Sequence, residues 1–280
     1  MRTHYRTGWP LSLCLFSGCA ALGPLSPLGP LERAAVYQPT PFPEAVEVPA
    51  DIPCEDAWFT AADGTALHGW FFDHPNPRAV ALFCHGNAGN IASRGQAMWL
   101  LNQRHGLAIM TFDYRGYGKS EGSPSEQGIL ADARAARHWL AERTGVAESD
   151  IVLMGRSLGG AVAVDLAAKD GARGLVLAST FSSLPDAAQQ HVPWALPHLN
   201  MTQRLNSAAK IRDYSGPLLQ SHGDADEVIP LALGKKLHEA APGPKQWIII
   251  PGGKHNDPQS EEYRLAFDAF IASLPEPKRL

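Results

Sequence analysis

Gly155-Arg156-Ser157-Leu158-Gly159 follows the apolar run Ile151-Val152-Leu153-Met154 and precedes Gly160-Ala161-Val162-Ala163-Val164-Asp165-Leu166-Ala167-Ala168. The run before it has the length of a buried strand, and the stretch after it reads as a helix. A serine between two glycines at such a junction sits on a tight turn, because only residues without a Cβ let the flanking backbone approach closely. The turn lifts the hydroxyl clear of the sheet and sets it at a helix N-terminus, where N–H groups face developing negative charge. Ser157 is therefore the candidate nucleophile. The bare pattern says little, since Gly and Ser are common; the strand and helix around it carry the reading.

A serine hydroxyl needs a base to take its proton and a carboxylate to orient that base. On strand-turn-helix sites of this type the chain order is Ser, then Asp or Glu, then His. Pro217-Leu218-Leu219 leads into the acidic loop Ser221-His222-Gly223-Asp224-Ala225-Asp226-Glu227-Val228-Ile229-Pro230. Trp247-Ile248-Ile249-Ile250 leads into Pro251-Gly252-Gly253-Lys254-His255-Asn256-Asp257. Both loops follow strands, so both belong at the carboxyl edge of a parallel sheet, beside Ser157. His255 is the candidate base. Asp226 is preferred as the acid because it lies deeper in its loop than Asp224, while Glu227 points to the other side of an extended segment. Asp224 is the fallback. Upstream, the strand-like Ala79-Val80-Ala81-Leu82-Phe83-Cys84 opens into His85-Gly86-Asn87-Ala88-Gly89-Asn90. Its glycines allow a backbone N–H to face a substrate carbonyl, so the oxyanion hole is expected from the N–H groups of Asn87 and Leu158. His85, just before the glycine turn, reads as a structural imidazole rather than a second base.

These stretches, with Asp113-Tyr114-Arg115-Gly116-Tyr117-Gly118-Lys119-Ser120-Glu121-Gly122, resemble the α/β-hydrolase superfamily over roughly residues 57–273. The similarity is greatest to its branch of small serine hydrolases that includes protein depalmitoylases and bacterial relatives. The resemblance implies an α/β-hydrolase fold with Ser157 as nucleophile, Asp226 as acid, His255 as base, and Asn87 and Leu158 as oxyanion donors. It implies cleavage of carboxylic esters or thioesters with no metal or organic cofactor. Lys254 departs from the pattern, which usually has a small uncharged residue before the histidine. A serine peptidase or amidase, and a non-catalytic binding body on the same fold, are the alternatives.

With 280 residues, 45% of them hydrophobic, the chain can bury one full α/β core. A formal net charge of −4 and scattered basic residues give no basic stripe for nucleic acid. The four cysteines are too few for a disulfide scaffold and show no zinc spacing. Cys84, at the end of a core strand, reads as a small apolar filler.

The N-terminus reads as an address. Arg2 and Arg6 precede the short apolar run Pro10-Leu11-Ser12-Leu13-Cys14-Leu15-Phe16, then Ser17-Gly18-Cys19. That layout is a signal peptide over residues 1–19, well short of the roughly 20 apolar residues of a membrane span. Ser17-Gly18-Cys19 resembles a bacterial lipobox, although Phe16 stands where Leu is usual. On that resemblance Cys19 is lipidated and anchors the chain in the cell envelope, at the outer membrane facing the periplasm; plain secretion is the alternative. Residues 20–53, rich in Pro and Gly, read as a tether. Residues 54–280 form the hydrolase domain.

Within it, strands are expected near residues 58–61, 67–73, 80–84, 107–112, 151–154, 174–178, 218–221 and 247–250, the first two as a hairpin around Asp63-Gly64. Helices are expected near 92–104, 125–142, 158–169, 231–239 and 261–272. The alternation predicts a mostly parallel eight-stranded sheet with helices on both faces. A small cap falls in residues 180–216, where Phe181, Trp194, Leu196, Leu199 and Met201 serve either as an apolar rim over Ser157 or as packing on the sheet. Tyr114 and Arg115 are read chiefly as packing residues.

Overall fold

The computed structural model describes residues 29–42 and 52–277. The leader expected over residues 1–19, and Cys19 with it, lies outside the described residues. Part of the stretch read as a tether is structured: a short helix, α1 (Gly29–Val36), begins with Pro30 in its first turn, where the missing N–H costs nothing.

The body starts with a hairpin, β1 (Glu55–Thr60) and β2 (Ala66–Phe72), turning through Gly64 at φ +88°. Then β3 (Ala79–Cys84), α2 (Gly95–His105), β4 (Leu107–Phe112), α3 (Glu126–Thr144), β5 (Val152–Arg156), α4 (Leu158–Asp170) and β6 (Gly174–Ala178) alternate. The cap follows as three short helices, α5 (Leu184–His191), α6 (Pro197–Asn200) and α7 (Ser207–Lys210). The chain finishes with β7 (Leu218–Gly223), α8 (Leu231–Ala240), β8 (Lys245–Ile250) and α9 (Glu261–Ser273).

The strands form one eight-stranded sheet in the order β1-β2-β4-β3-β5-β6-β7-β8. Only the β1–β2 and β2–β4 pairings are antiparallel; the rest are parallel. This is the α/β-hydrolase fold that the motifs imply. Residue alternation along β4 shows how the sheet is buried on both sides. Ala108, Met110 and Phe112 enter one apolar cluster with α3 and α4, while Leu107 and Ile109 enter the other with Phe267 and Ile271 of α9. A strand covered on both faces reads as a continuous apolar run, and all of β4 is buried.

The strand order puts β5 in the middle and β7 and β8 at one end. In parallel strands all carboxyl ends lie on one edge, so the loops after β3, β5, β7 and β8 converge there.

Candidate active site

Ser157 links β5 to α4 with φ 53° and ψ −121°, a backbone state that side-chain-bearing residues rarely adopt. Three bonds hold it there. The Ser157 N–H donates to the Ala178 carbonyl at 3.0 Å, and the Ser157 carbonyl accepts from the Gly160 N–H at 3.0 Å and the Thr180 hydroxyl at 2.8 Å. The flanking glycines are required by volume. A Cβ on Gly155 would lie 2.3 Å from the Gly159 carbonyl oxygen, and one on Gly159 would lie 2.0 Å from that of Cys84. Leu158 is the first residue of α4, so its N–H is among those the helix itself does not pair.

His255 follows β8, and its Nδ1 lies 2.8 Å from Asp226 Oδ2 in the loop after β7. Asp224, the fallback, is exposed and instead accepts the Gly252 N–H at 2.6 Å. Asp226 is buried and well supplied with donors: its Oδ1 accepts the N–H groups of Val228 at 2.9 Å and Ile229 at 2.8 Å. Burial alone would raise the Asp226 pKa, but these donors and the facing His222 and His255 outweigh it and hold it well below the usual carboxylate range. Asp226 is thus favoured as an anion, with Oδ2 facing the His255 ring.

Two supports of this pair were not legible in the sequence. His222 is fully buried, with Nε2 at 2.7 Å from the Ile229 carbonyl and 3.4 Å from Asp226 Oδ2. Its Nδ1 is pressed toward Gly234, where an added Cβ would come within 2.3 Å. Arg156, the variable residue of the serine motif, donates from Nη2 to the His255 carbonyl. It ties the residue before the serine directly to the histidine loop. The motif gives no hint of this, because its second position tolerates many side chains.

Asn87 lies in the loop after β3, and the backbone of that loop backs onto the serine: a Cβ on Gly86 would be 3.5 Å from Ser157 Cβ. His85 is buried, with Nδ1 2.7 Å from the Gly86 carbonyl, and burial pushes its pKa down to about 3. It is a neutral ring packed against Tyr114 at a centroid distance of 4.4 Å, as a structural imidazole should be. Its Nε2 faces Asp113 Oδ1 at 3.7 Å, and burial pushes the Asp113 carboxyl up to about 7. Tyr114 donates its hydroxyl to the His85 carbonyl at 3.0 Å, and Arg115 forks onto Asp132 and Asp63, so both are framework residues. Cys84 is buried, which pushes its thiol pKa up to about 12 and leaves it inert.

The apolar residues of the cap fall into two groups. Phe181 is buried in the core, whereas Trp194, Leu196 and Leu199 are exposed at 69%, 54% and 68%. Among the described residues no His, Cys, Asp and Glu cluster could hold a metal ion, and no helix is long and apolar enough to cross a membrane.

Comparison with known proteins adds four findings. The model of a family described as serine aminopeptidase, S33, matches residues 75–214. An uncharacterized protein of Mycobacterium tuberculosis is 38% identical over 250 residues, 88% of each chain. The uncharacterized protein YfhR of Escherichia coli is 37% identical over 237 residues, 80% of this chain and 82% of its own. Among solved structures, the Pyrococcus furiosus esterase Pf2001 superposes with a TM-score of 0.69 at 18% identity, covering 85% of this chain and 99% of that one. At that identity the likeness concerns the fold.

Proposed function

The chain belongs to the serine aminopeptidase S33 family of α/β hydrolases, and we propose that it is a serine hydrolase of carboxylic esters or thioesters working through an acyl-enzyme. The observation that carries this reading is the 2.8 Å contact of His255 Nδ1 with the buried Asp226 carboxylate, on a loop tied by Arg156 to the elbow that presents Ser157.

With Asp226 accepting the Nδ1 proton, the neutral His255 ring has its Nε2 lone pair free to take the Ser157 proton. Attack of Oγ on the substrate carbonyl forms the Oγ–C bond and moves the carbonyl π electrons onto oxygen. The Asn87 and Leu158 N–H groups then stabilise that oxyanion; one such donor is typically worth about 2.7–4 kcal/mol in the transition state. The His255 imidazolium returns its proton to the departing alcohol or thiol as the tetrahedral centre collapses. Water, deprotonated by the same ring, repeats the sequence and frees the acid.

The exposed Trp194, Leu196 and Leu199 give the cap an apolar surface of the kind an acyl chain packs on, which supports an ester or a depalmitoylase-like thioester. Turnover of a p-nitrophenyl ester series from short to long acyl chains, by wild type and Ser157→Ala, tests the reading. Activity lost with the hydroxyl supports it, and the chain-length optimum sizes the acyl site. Equal rates in both proteins, or none in folded wild type, refute it; turnover of aminoacyl amides alone moves the assignment to a peptidase. The basic and apolar leader ending at Cys19 supports an envelope lipoprotein, which a Cys19→Ala variant recovered in the soluble rather than the membrane fraction would bear out.

A further inference from the structure

The chain from α1 to Phe42 lies across the loop that carries Asn87, and its bonds to Asn87 are made by main-chain groups. Asn87 Nδ2 donates to the Val36 carbonyl at 2.6 Å, and Asn87 Oδ1 accepts the Gln38 N–H at 3.1 Å. The amide is bonded on both sides by one run of chain, through the last residue of α1 and the second residue beyond it. Tyr117 adds a hydroxyl to the same Oδ1 at 2.9 Å. Beyond this, Pro39 bridges to Gly89 and Pro41 to Gly118, while Asn90 Nδ2 donates to the Pro41 carbonyl at 2.9 Å.

The segment is itself fastened to the cap. Tyr37 is 2% exposed, with its hydroxyl 3.1 Å from Gln203 Oε1. The Glu32 carboxylate accepts the N–H groups of Thr202 at 2.7 Å and Gln203 at 2.8 Å. The strap thus spans from cap to oxyanion loop. The loop it meets has no regular structure between β3 and Ile91, and Gly89 sits at φ +82°. Main-chain pairing that would fix the Asn87 peptide in a strand or helix is therefore supplied through its side chain.

We propose that Val36 and Gln38 are positioning residues for the oxyanion site, the strap of residues 29–42 holding the Asn87 peptide where its N–H meets the substrate oxygen. The inference rests on the assignment of Asn87 as an oxyanion donor in a Ser157 hydrolase. It makes the approach to the domain, which the hydrolase sheet does not need in order to pair, a part of the catalytic apparatus. Because an oxyanion donor acts mainly as charge develops, misplacing it lowers kcat and leaves KM nearly unchanged.

The test compares Gln38→Pro, which deletes the N–H donated to Asn87, with wild type and Ser157→Ala on p-nitrophenyl butyrate. Each protein is also treated with a p-nitrophenyl alkylphosphonate, whose phosphoryl oxygen takes the oxyanion position as Ser157 is phosphonylated. The expected result is a loss in kcat of about tenfold or more with KM held within about threefold, a parallel loss in phosphonylation rate, and a melting temperature near that of wild type. Glu32→Ala combined with Tyr37→Phe loosens the strap without touching Asn87; it should shift kcat in the same direction, and it carries the test if Gln38→Pro does not fold. Wild-type kcat in these variants, with turnover still dependent on Ser157, overturns the proposal alone. Lower stability at unchanged kcat per folded molecule overturns it too. Turnover that survives Ser157→Ala overturns the functional assignment and the strap's role with it.

Discussion

Replacing Asp226 by Asn tests the proposed mechanism at its most constrained atom. Oδ1 accepts two backbone N–H groups, from Val228 and Ile229, which only an oxygen can satisfy. In Asp226→Asn the amide oxygen must therefore stay on that side, which puts the NH₂ where Oδ2 now faces His255 Nδ1 at 2.8 Å. The ring then presents a lone pair at Nδ1 and carries its proton on Nε2, the nitrogen that should take the serine proton. Recovering the productive tautomer means rotating the amide and leaving the buried Ile229 N–H and the part-buried Val228 N–H unpaired, at up to about 1–3 kcal/mol each. The resulting penalty of about 2–6 kcal/mol corresponds to a loss of roughly thirtyfold to 10⁴-fold in kcat, the upper end being what the same exchange costs in a well-studied triad. Steady-state kinetics on a p-nitrophenyl ester, alongside thermal melting, measures it. Asp224→Asn is the control: its side chain is exposed and bonds only the Gly252 N–H, so kcat should stay within about threefold of wild type. A folded Asp226→Asn protein with kcat within threefold of wild type would refute the role given to this carboxylate.

Other outcomes follow from the same geometry. Arg156→Met removes the donor that holds the His255 carbonyl, and kcat should fall about tenfold or more while Arg156→Lys recovers part of it; equal rates in wild type and Arg156→Met would dismiss the tie. The Asp113 carboxyl, pushed up to about 7 by burial, keeps its proton in the folded state over a range where the unfolded chain has lost it. Its contribution to stability is thus present at low pH and lost as pH rises from about 4 to 7. Asp113→Asn, which cannot ionise, should gain on wild type by up to about 4 kcal/mol between about pH 5 and about pH 8 in urea unfolding; a pH-independent difference would contradict this. Below about pH 4 the sign is opposite for Asp226, whose lowered pKa gives stability that is lost as the carboxylate takes its proton.

The sheet was legible where burial is two-sided. The expected strands at 107–112 and 174–178 match β4 and β6, because central parallel strands are continuous apolar runs closed by turn residues. β7 runs to Gly223, two residues past its expected end, since His222 and Gly223 extend the ladder without any hydropathy signal. The choice of Asp226 over Asp224 could be made from depth in the loop alone, and the structure puts Asp226 against His255. The strap could not be read. Residues 20–53 carry prolines and no period, and their decisive contacts are a Val36 carbonyl and a Gln38 N–H, groups every residue has. Arg156 and His222 lie within the motifs around Ser157 and Asp226, but contacts from a strand end to a neighbouring loop have no spacing to betray them.

The proposed base follows a strand at one edge of the sheet. His255 follows β8, an end strand that pairs only with β7 and exposes Lys245, Gln246 and Ile249, whereas Ser157 follows the central β5. Strands of this kind open locally at a lower free energy than the global unfolding of the core. Heating should therefore silence turnover while far-ultraviolet circular dichroism still reports an intact fold, so thermal inactivation and thermal melting become separate events. A covalent adduct on Ser157 that also engages His255 would clamp the centre of the sheet to its edge, raising the inactivation temperature more than the melting temperature.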